Sequence, residues 1–172
     1  KNNYALNKWH RGYLGPKAST IVTSSVAEVT TPNQSESFLA LTEYNLSEIN
    51  LENTNPLAGP NQWPSELPEL ELVCKDYMQN MRDFSMKILH SIARGLELEE
   101  NWFDTYFNHP TEFLRLLRYW PQNVEDDVYG SAPHTDYGFL TFVAQDDVGG
   151  LEVRGRDGIW IPIPPIEETF VL

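Results

Sequence analysis

The 172-residue chain has a single cysteine, Cys74, which excludes an internal disulfide framework. Basic residues are scarce too: 12 Lys and Arg stand against 25 Asp and Glu, and a formal net charge of −13 repels a phosphate backbone or an anionic leaflet. No uninterrupted apolar run is long enough to span a bilayer, since even Gly158 to Ile166 is broken by Pro162, Pro164 and Pro165. Lys1 to Leu14 lacks the apolar segment and small-residue cleavage site of a secretory signal. No internal period appears, which sets aside solenoids and propellers. These absences predict a reducing, cytoplasmic setting with neither nucleic acid nor membrane as a partner. What is present, 41% hydrophobic and 22% charged residues, is ordinary globular usage, enough for one domain with a real core.

From Pro16 to Pro64 the chain is rich in Ser, Thr, Asn and Pro, with only a weak apolar patch at Phe38-Leu39-Ala40-Leu41. This predicts a long surface loop, ordered by packing or used as a lid. The sequons Asn33-Gln34-Ser35 and Asn45-Leu46-Ser47 are chance patterns in such a stretch and carry no weight. After Pro68, Leu70, Val73, Tyr77, Met81, Phe84, Ile88 and Ile92 recur at steps of three and four. That spacing predicts a helix over about 69–94 with this stripe buried, Phe84 included, and Gly95 as the left-handed residue closing its end. A shorter helix is expected over about 99–107, stopped by His109-Pro110.

Beyond Thr111 the texture becomes β. Phe113 to Trp120, Phe139 to Ala144, Leu151 to Val153, Ile159 to Ile163 and Thr169 to Leu172 read as short strands, with Gly149-Gly150 and Asp157-Gly158 as turns. Helices followed by closely spaced strands give an α+β chain with a sandwich or roll at its C-terminal end. Ending on Thr-Phe-Val-Leu, in mid-strand, the chain looks cut.

His134 lies two residues before Asp136 at what should be the start of a strand, where residues i and i+2 share a face. An imidazole and a carboxylate so placed can occupy adjacent corners of an octahedral metal, which is the logic of a two-His-one-carboxylate iron site. The simpler reading is a solvated polar pair. The other histidines read plainly: His90 as a hydrogen-bonded residue beside the apolar helical face, His109 as part of a helix stop. Cys74 reads as an inert packed thiol.

The stretch from His134-Thr135-Asp136-Tyr137-Gly138-Phe139 through Gly149-Gly150-Leu151-Glu152-Val153, Asp157-Gly158-Ile159-Trp160 and Pro164-Pro165 resembles the iron-binding core of the isopenicillin N synthase-like Fe(II)/2-oxoglutarate oxygenases. Upstream, Arg11-Gly12-Tyr13, Gly59-Pro60-Asn61-Gln62-Trp63-Pro64 with Leu67-Pro68, and Leu117-Arg118-Tyr119-Trp120-Pro121 resemble that family in the same order. The resemblance implies that His134 and Asp136 are iron ligands and that Fe(II), 2-oxoglutarate and O2 are the cofactor and cosubstrates. It implies a small-molecule substrate oxidised by C–H hydroxylation, desaturation or ring closure, with release of succinate and CO2. Its third ligand, a histidine several strands later, and its Arg-x-Ser anchor for 2-oxoglutarate are absent here. The chain is therefore expected to be a fragment, truncated at both ends and not competent alone.

In plant members Asn-x-Tyr-Pro stands where this chain has Arg118-Tyr119-Trp120-Pro121, so Trp120 takes the place of a cosubstrate-holding tyrosine and can only donate through its indole N–H. Arg118 and Tyr119 are candidates to meet an acidic or polar substrate, against the simpler reading of a surface arginine and a core aromatic. The expected architecture is an α-rich region over 1–110, followed over 111–172 by the first half of a double-stranded β-helix, a cupin-like jelly roll. The rival readings are an Fe(II) oxidase of the same fold that uses no 2-oxoglutarate, and a non-catalytic jelly-roll binding module.

Overall fold

A computed structural model describes residues 2–18, 26, 29–43, 57–121 and 128–172. It divides into two compact units, Lys1–His134 and Thr135–Leu172. The first carries an antiparallel three-stranded sheet in the order β1 (Gly12–Leu14), β2 (Ser35–Leu41), β3 (Phe113–Tyr119). It also holds one long helix, α1 (Pro68–Gly95). The described elements are thus α+β, as the sequence predicts.

The central strand corrects the expectation of a loop from 16 to 64 inside an α-rich region. β2 pairs with β1 from Gly12↔Leu39 to Leu14↔Ser37, and with β3 from Ser35↔Tyr119 to Leu41↔Phe113. Ser35, Glu36 and Ser37 are polar, which is why the segment reads as a loop in one dimension, yet all three are buried. Their polarity is answered across the sheet: Arg115 Nε donates to Ser37 Oγ at 3.2 Å, and the Tyr13 hydroxyl donates to Glu36 Oε2. A buried polar strand is tolerable when its groups find such partners. Other parts of the expected loop, 19–25, 27–28 and 44–56, lie outside the described residues.

One end of β2 is locked by Arg11, whose side chain is 1% exposed. Its guanidinium donates to Asn61 Oδ1 (3.0 Å), the Trp9 carbonyl (3.1 Å), the Thr42 carbonyl (3.1 Å) and the Leu57 carbonyl. Burial pushes its pKa below the ordinary arginine value, and the charge of Glu43 pulls it back. Asn61 meanwhile pairs with Leu41 as a strand would, accepting from its N–H at 2.9 Å and donating to its carbonyl at 2.8 Å. Gln62 Nε2 donates to the carbonyls of Ala5 (2.8 Å) and Arg11 (2.6 Å). Gly12 follows with φ 116°, and a Cβ there would collide with the Gln62 amide. The Arg11-Gly12-Tyr13 and Gly59-to-Pro64 motifs are therefore two halves of one structural knot.

α1 matches the expected helix within a residue at each end. Pro68 opens it where a missing N–H costs nothing, Glu69 and Glu71 sit in the first turn and Arg94 in the last, as the macrodipole favours. Its buried residues are Cys74, Leu89 and Ala93. The expected stripe is not the buried face: Val73 is 65%, Tyr77 40% and Phe84 38% exposed, and Leu70, Met81, Ile88 and Ile92 are only half-buried. Burial follows positions about one step, or 100°, around from it, through Cys74, Leu89 and Ala93, two of which are too small to stand out in a pattern of large apolar residues. Cys74 is buried as expected, and burial raises its thiol pKa. The left-handed closing residue is Glu97 (φ 59°), not Gly95: Leu98 N–H donates to the Ala93 carbonyl and Glu97 N–H to the Arg94 carbonyl. The expected second helix shrinks to a 3-10 turn, Asp104–Phe107.

Charged side chains tether α1 beside the sheet. Arg82 forks onto Glu112 with contacts of 2.7 and 2.6 Å, and Glu112 also accepts from the Thr42 hydroxyl at 2.8 Å. Lys75 reaches Glu43 at 3.0 Å.

In the second unit, β4 (Glu152–Arg154) and β5 (Trp160–Pro162) form an antiparallel hairpin. Its turn is the expected Asp157-Gly158: Asp157 Oδ1 accepts from Ile159 N–H at 3.1 Å, and Gly158 takes φ 83°. The strands expected at 139–144 and 169–172 reduce to one antiparallel bridge, Val143↔Val171, since a strand persists only where a neighbour pairs along its length. Among the described residues no helix is long and apolar enough to cross a membrane.

Two stability measurements follow from these contacts. Asn61→Ala should cost roughly 2–4 kcal/mol in urea denaturation, since three hydrogen bonds go and buried donors lose their acceptor. A loss under about 1 kcal/mol would contradict the knot. Glu97→Gly should instead stabilise by roughly 1 kcal/mol, by relieving a left-handed side chain, and an unchanged urea midpoint would contradict that assignment.

Candidate metal centre

The division between units falls just after His134, so the two expected ligands belong to different units. Both side chains are exposed. Residues 134–137 are not in a strand, which corrects the expectation that the pair opens one.

His134 is held by its own neighbourhood. Its Nδ1 lies 2.7 Å from the Ala132 carbonyl oxygen. A carbonyl can only accept, so Nδ1 carries the proton, and in the neutral ring Nε2 keeps the lone pair. This is the arrangement in which metal-binding histidines are usually found, with the second ring nitrogen donating to a carbonyl or carboxylate. An imidazole Nε2 and a carboxylate also form a donor set suited to Fe(II). The residues present therefore fit the metal the motif implies.

Ala132 is itself fixed: it is 1% exposed, and its N–H donates at 3.0 Å to Oδ1 of Asn33, which is 4% exposed. Alongside, Gln34 N–H donates to the Tyr129 carbonyl at 2.9 Å. Sequence reasoning passed over Asn33 as part of a chance sequon. The one signal available was a polar residue five positions before an apolar patch, Phe38 to Leu41, that turns out to lie in a strand.

The remaining expected site residues sit at the end of β3. Arg118 lies opposite Glu36, its Nη1 3.5 Å from Glu36 Oε1, and its guanidinium carbon is 3.9 Å from the centroid of the Trp120 ring. Tyr119 lies opposite Ser35 and so projects to the other face from Arg118. Its ring borders Gly130, where an added Cβ would come within 2.8 Å of Tyr119 Cδ1. Partial burial raises the Tyr119 phenol pKa, against an opposing pull from Arg115. Trp120 is 37% exposed.

The other histidines behave as the simple readings said where contacts are seen. His90 Nε2 lies 2.8 Å from Asp104 Oδ1, joining α1 to the 3-10 turn. Among the described residues no group of three or more His, Cys, Asp or Glu side chains is arranged to hold a metal. In the second unit a cleft of about 370 Å³ is lined by Val143, Gln145, Ile163, Ile166, Phe170 and others, none of them an expected site residue.

Comparison with known proteins agrees with the motif. Residues 111–172 match the model of the 2OG-Fe(II) oxygenase superfamily. Over 172 aligned residues the chain is 31% identical to the 2-oxoglutarate-dependent dioxygenase caaD of Aspergillus niger, covering 96% of this chain and 50% of that protein. It is 37% identical over 124 residues to homoarginine-6-hydroxylase 2-ODD-C23 of Glycine max, covering 67% of this chain and 37% of that one. A full-length Neurospora crassa protein, solved in complex with α-ketoglutarate, superposes with a TM-score of 0.74 at 25% identity, over 97% of this chain and 50% of its own. A Caulobacter crescentus structure assigned to the 2OG-Fe(II) oxygenase family gives 0.78 at 24% identity, over 99% and 52%, a likeness of fold. Residues 111–172 thus carry the match to the 2OG-Fe(II) oxygenase superfamily, whose members use Fe(II), 2-oxoglutarate and O2. It spans about half the length of the caaD relative.

Because the neutral Tyr119 is the favoured form in the folded chain, its ionisation should begin at higher pH than that of an exposed tyrosine. The stability this lends is complete below the ordinary tyrosine pKa and is lost as pH rises through the folded value. Ultraviolet difference titration of wild type against Tyr119→Phe tests this. A missing transition at or below the ordinary value would contradict it.

Proposed function

We propose that the full-length protein is an isopenicillin N synthase-like, non-haem Fe(II)/2-oxoglutarate-dependent oxygenase, with His134 and Asp136 as two of its iron ligands. The observation that supports this most is the His134 tautomer: a ring whose Nδ1–H donates to a backbone carbonyl carries its lone pair on Nε2, the nitrogen that would bind a metal. When bound, Fe(II) with 2-oxoglutarate and O2 supplies the oxidising chemistry, decarboxylating the cosubstrate to succinate and CO2 and oxidising a substrate C–H bond. The chain's own residues contribute ligand placement. The Ala132 carbonyl holds the imidazole in one tautomer, and the Asp136 carboxylate adds negative charge that favours a divalent cation. Residues 111–172, which include β3, the β4–β5 hairpin and the Val143–Val171 bridge, are read as the first part of a jelly roll.

The substrate is read as a small organic molecule that is hydroxylated, desaturated or cyclised. The net charge of −13 disfavours nucleic acid and anionic membranes as partners, and a lone buried thiol suits the cytoplasm. Arg118, stacked on Trp120, is the better placed of the β3 candidates to meet a polar or acidic group, being 62% exposed at its side chain. Trp120 has its ring engaged by that arginine, which leaves its indole N–H as the one means of contacting cosubstrate.

The test is anaerobic addition of Fe(II) and 2-oxoglutarate to the full-length protein, read by the visible charge-transfer band of the chelate, with succinate formation assayed under air. His134→Ala and Asp136→Ala should each lower turnover by more than about 100-fold, beyond what loss of an outer partner costs. Turnover surviving in both variants would refute the ligand assignment.

A further inference from the structure

We propose that Asn33 is a positioning residue for His134, acting through Ala132. The inference rests on the reading of His134 as an iron ligand and adds to it a residue far upstream in the chain. Three observations on the first unit carry it. Asn33 is 4% exposed, and its Oδ1 accepts the N–H of Ala132 at 3.0 Å. Ala132 is 1% exposed, and its carbonyl accepts the Nδ1 proton of His134 at 2.7 Å. Gln34 N–H donates to the Tyr129 carbonyl at 2.9 Å, so 33–34 clamp 129–132 at two points directly before β2 begins.

The amide of Ala132 and its carbonyl belong to different peptide units, so holding one fixes the other only if the torsion between them is narrow. Pro133 narrows it, because the residue before a proline is confined to the extended region. Fixing the Ala132 N–H therefore aims the Ala132 carbonyl, and the aimed carbonyl selects the Nδ1–H tautomer and the ring orientation. Without the Asn33 acceptor, a buried N–H is left unpaired and the segment must turn to satisfy it. The imidazole would then lose its single orientation, and a metal would have to restore it on binding. Outer partners of this kind are worth about 10–100-fold in metal affinity.

The experiment uses the full-length protein and Co(II) as the probe, with Asn33→Ala, Asn33→Asp and His134→Ala. In the metal-free state, ¹⁵N spectra of the histidine ring nitrogens report the His134 tautomer. Asn33→Ala should weaken Co(II) binding by about 10-fold or more and populate both His134 tautomers. Asn33→Asp keeps an acceptor oxygen and should retain the wild-type tautomer and affinity. Wild-type affinity and a single Nδ1–H tautomer in a folded Asn33→Ala would overturn the positioning role, and so would lost affinity in a folded Asn33→Asp. The Asp variant decides the matter if the Ala variant does not fold. His134→Ala separates the two readings: if it binds Co(II) as wild type does, the ligand assignment itself fails, whereas its loss beside an intact Asn33→Ala removes Asn33 alone.

Discussion

A guanidinium taken out of water must find acceptors for its N–H groups, and Arg11 meets that demand with oxygens from four different places along the chain. Asn61, the one side chain among them, also pairs both ways with Leu41 at the end of β2. The cost of burying the charge is thereby turned into geometry. Trp9, Leu57, Thr42 and Asn61 can satisfy Arg11 together only if β1, β2 and the segment before α1 meet at one point. A hydrophobic residue in place of Arg11 could fill the space, but it would not dictate which carbonyls approach it.

That constraint reaches the candidate centre through β2. Once its far end is fixed by Leu41 and Asn61, its near end at Ser35 is fixed by pairing with Tyr119. The residues just before Ser35 then stand beside 129–132, and Ala132 stands beside His134. The route from Arg11 to the imidazole is a run of hydrogen bonds and one strand. The stretches Arg11-Gly12-Tyr13 and Gly59-to-Pro64, which look like signature motifs, serve packing: Gln62 cradles the backbone at Ala5 and Arg11 where Gly12 leaves room.

α1 has a different relation to the sheet. It is tied by Arg82 to Glu112 and by Lys75 to Glu43, and Glu112 closes on Thr42 at the exit of β2. Partly exposed ion pairs of this kind contribute little stability singly, but the forked Arg82 contact fixes direction. Large apolar side chains on the same helix, Val73 among them, stay exposed, so its position owes more to these polar ties and to the buried Cys74, Leu89 and Ala93 than to its conspicuous stripe.

Local chemistry made α1, β3, the Asp157-Gly158 hairpin turn and the pairing of His134 with Asp136 in one motif legible in the sequence. Each of these is decided within a few residues, by helical spacing, by a run of leucines and aromatics, or by turn geometry. What could not be read locally was settled by partners far along the chain. Ser35-Glu36-Ser37 became a central strand because Tyr13 and Arg115 answer its polar groups. The stripe of α1 was displaced because burial depends on what covers a face, and the expected strands at 139–144 and 169–172 reduced to one bridge because pairing needs a neighbour. Likewise, the sequence alone determined that an imidazole and a carboxylate stand two residues apart. Only the tertiary structure decided which nitrogen of His134 holds the proton: Nδ1 faces the Ala132 carbonyl, and the N–H of Ala132 is held in turn by Asn33, ninety-nine positions earlier.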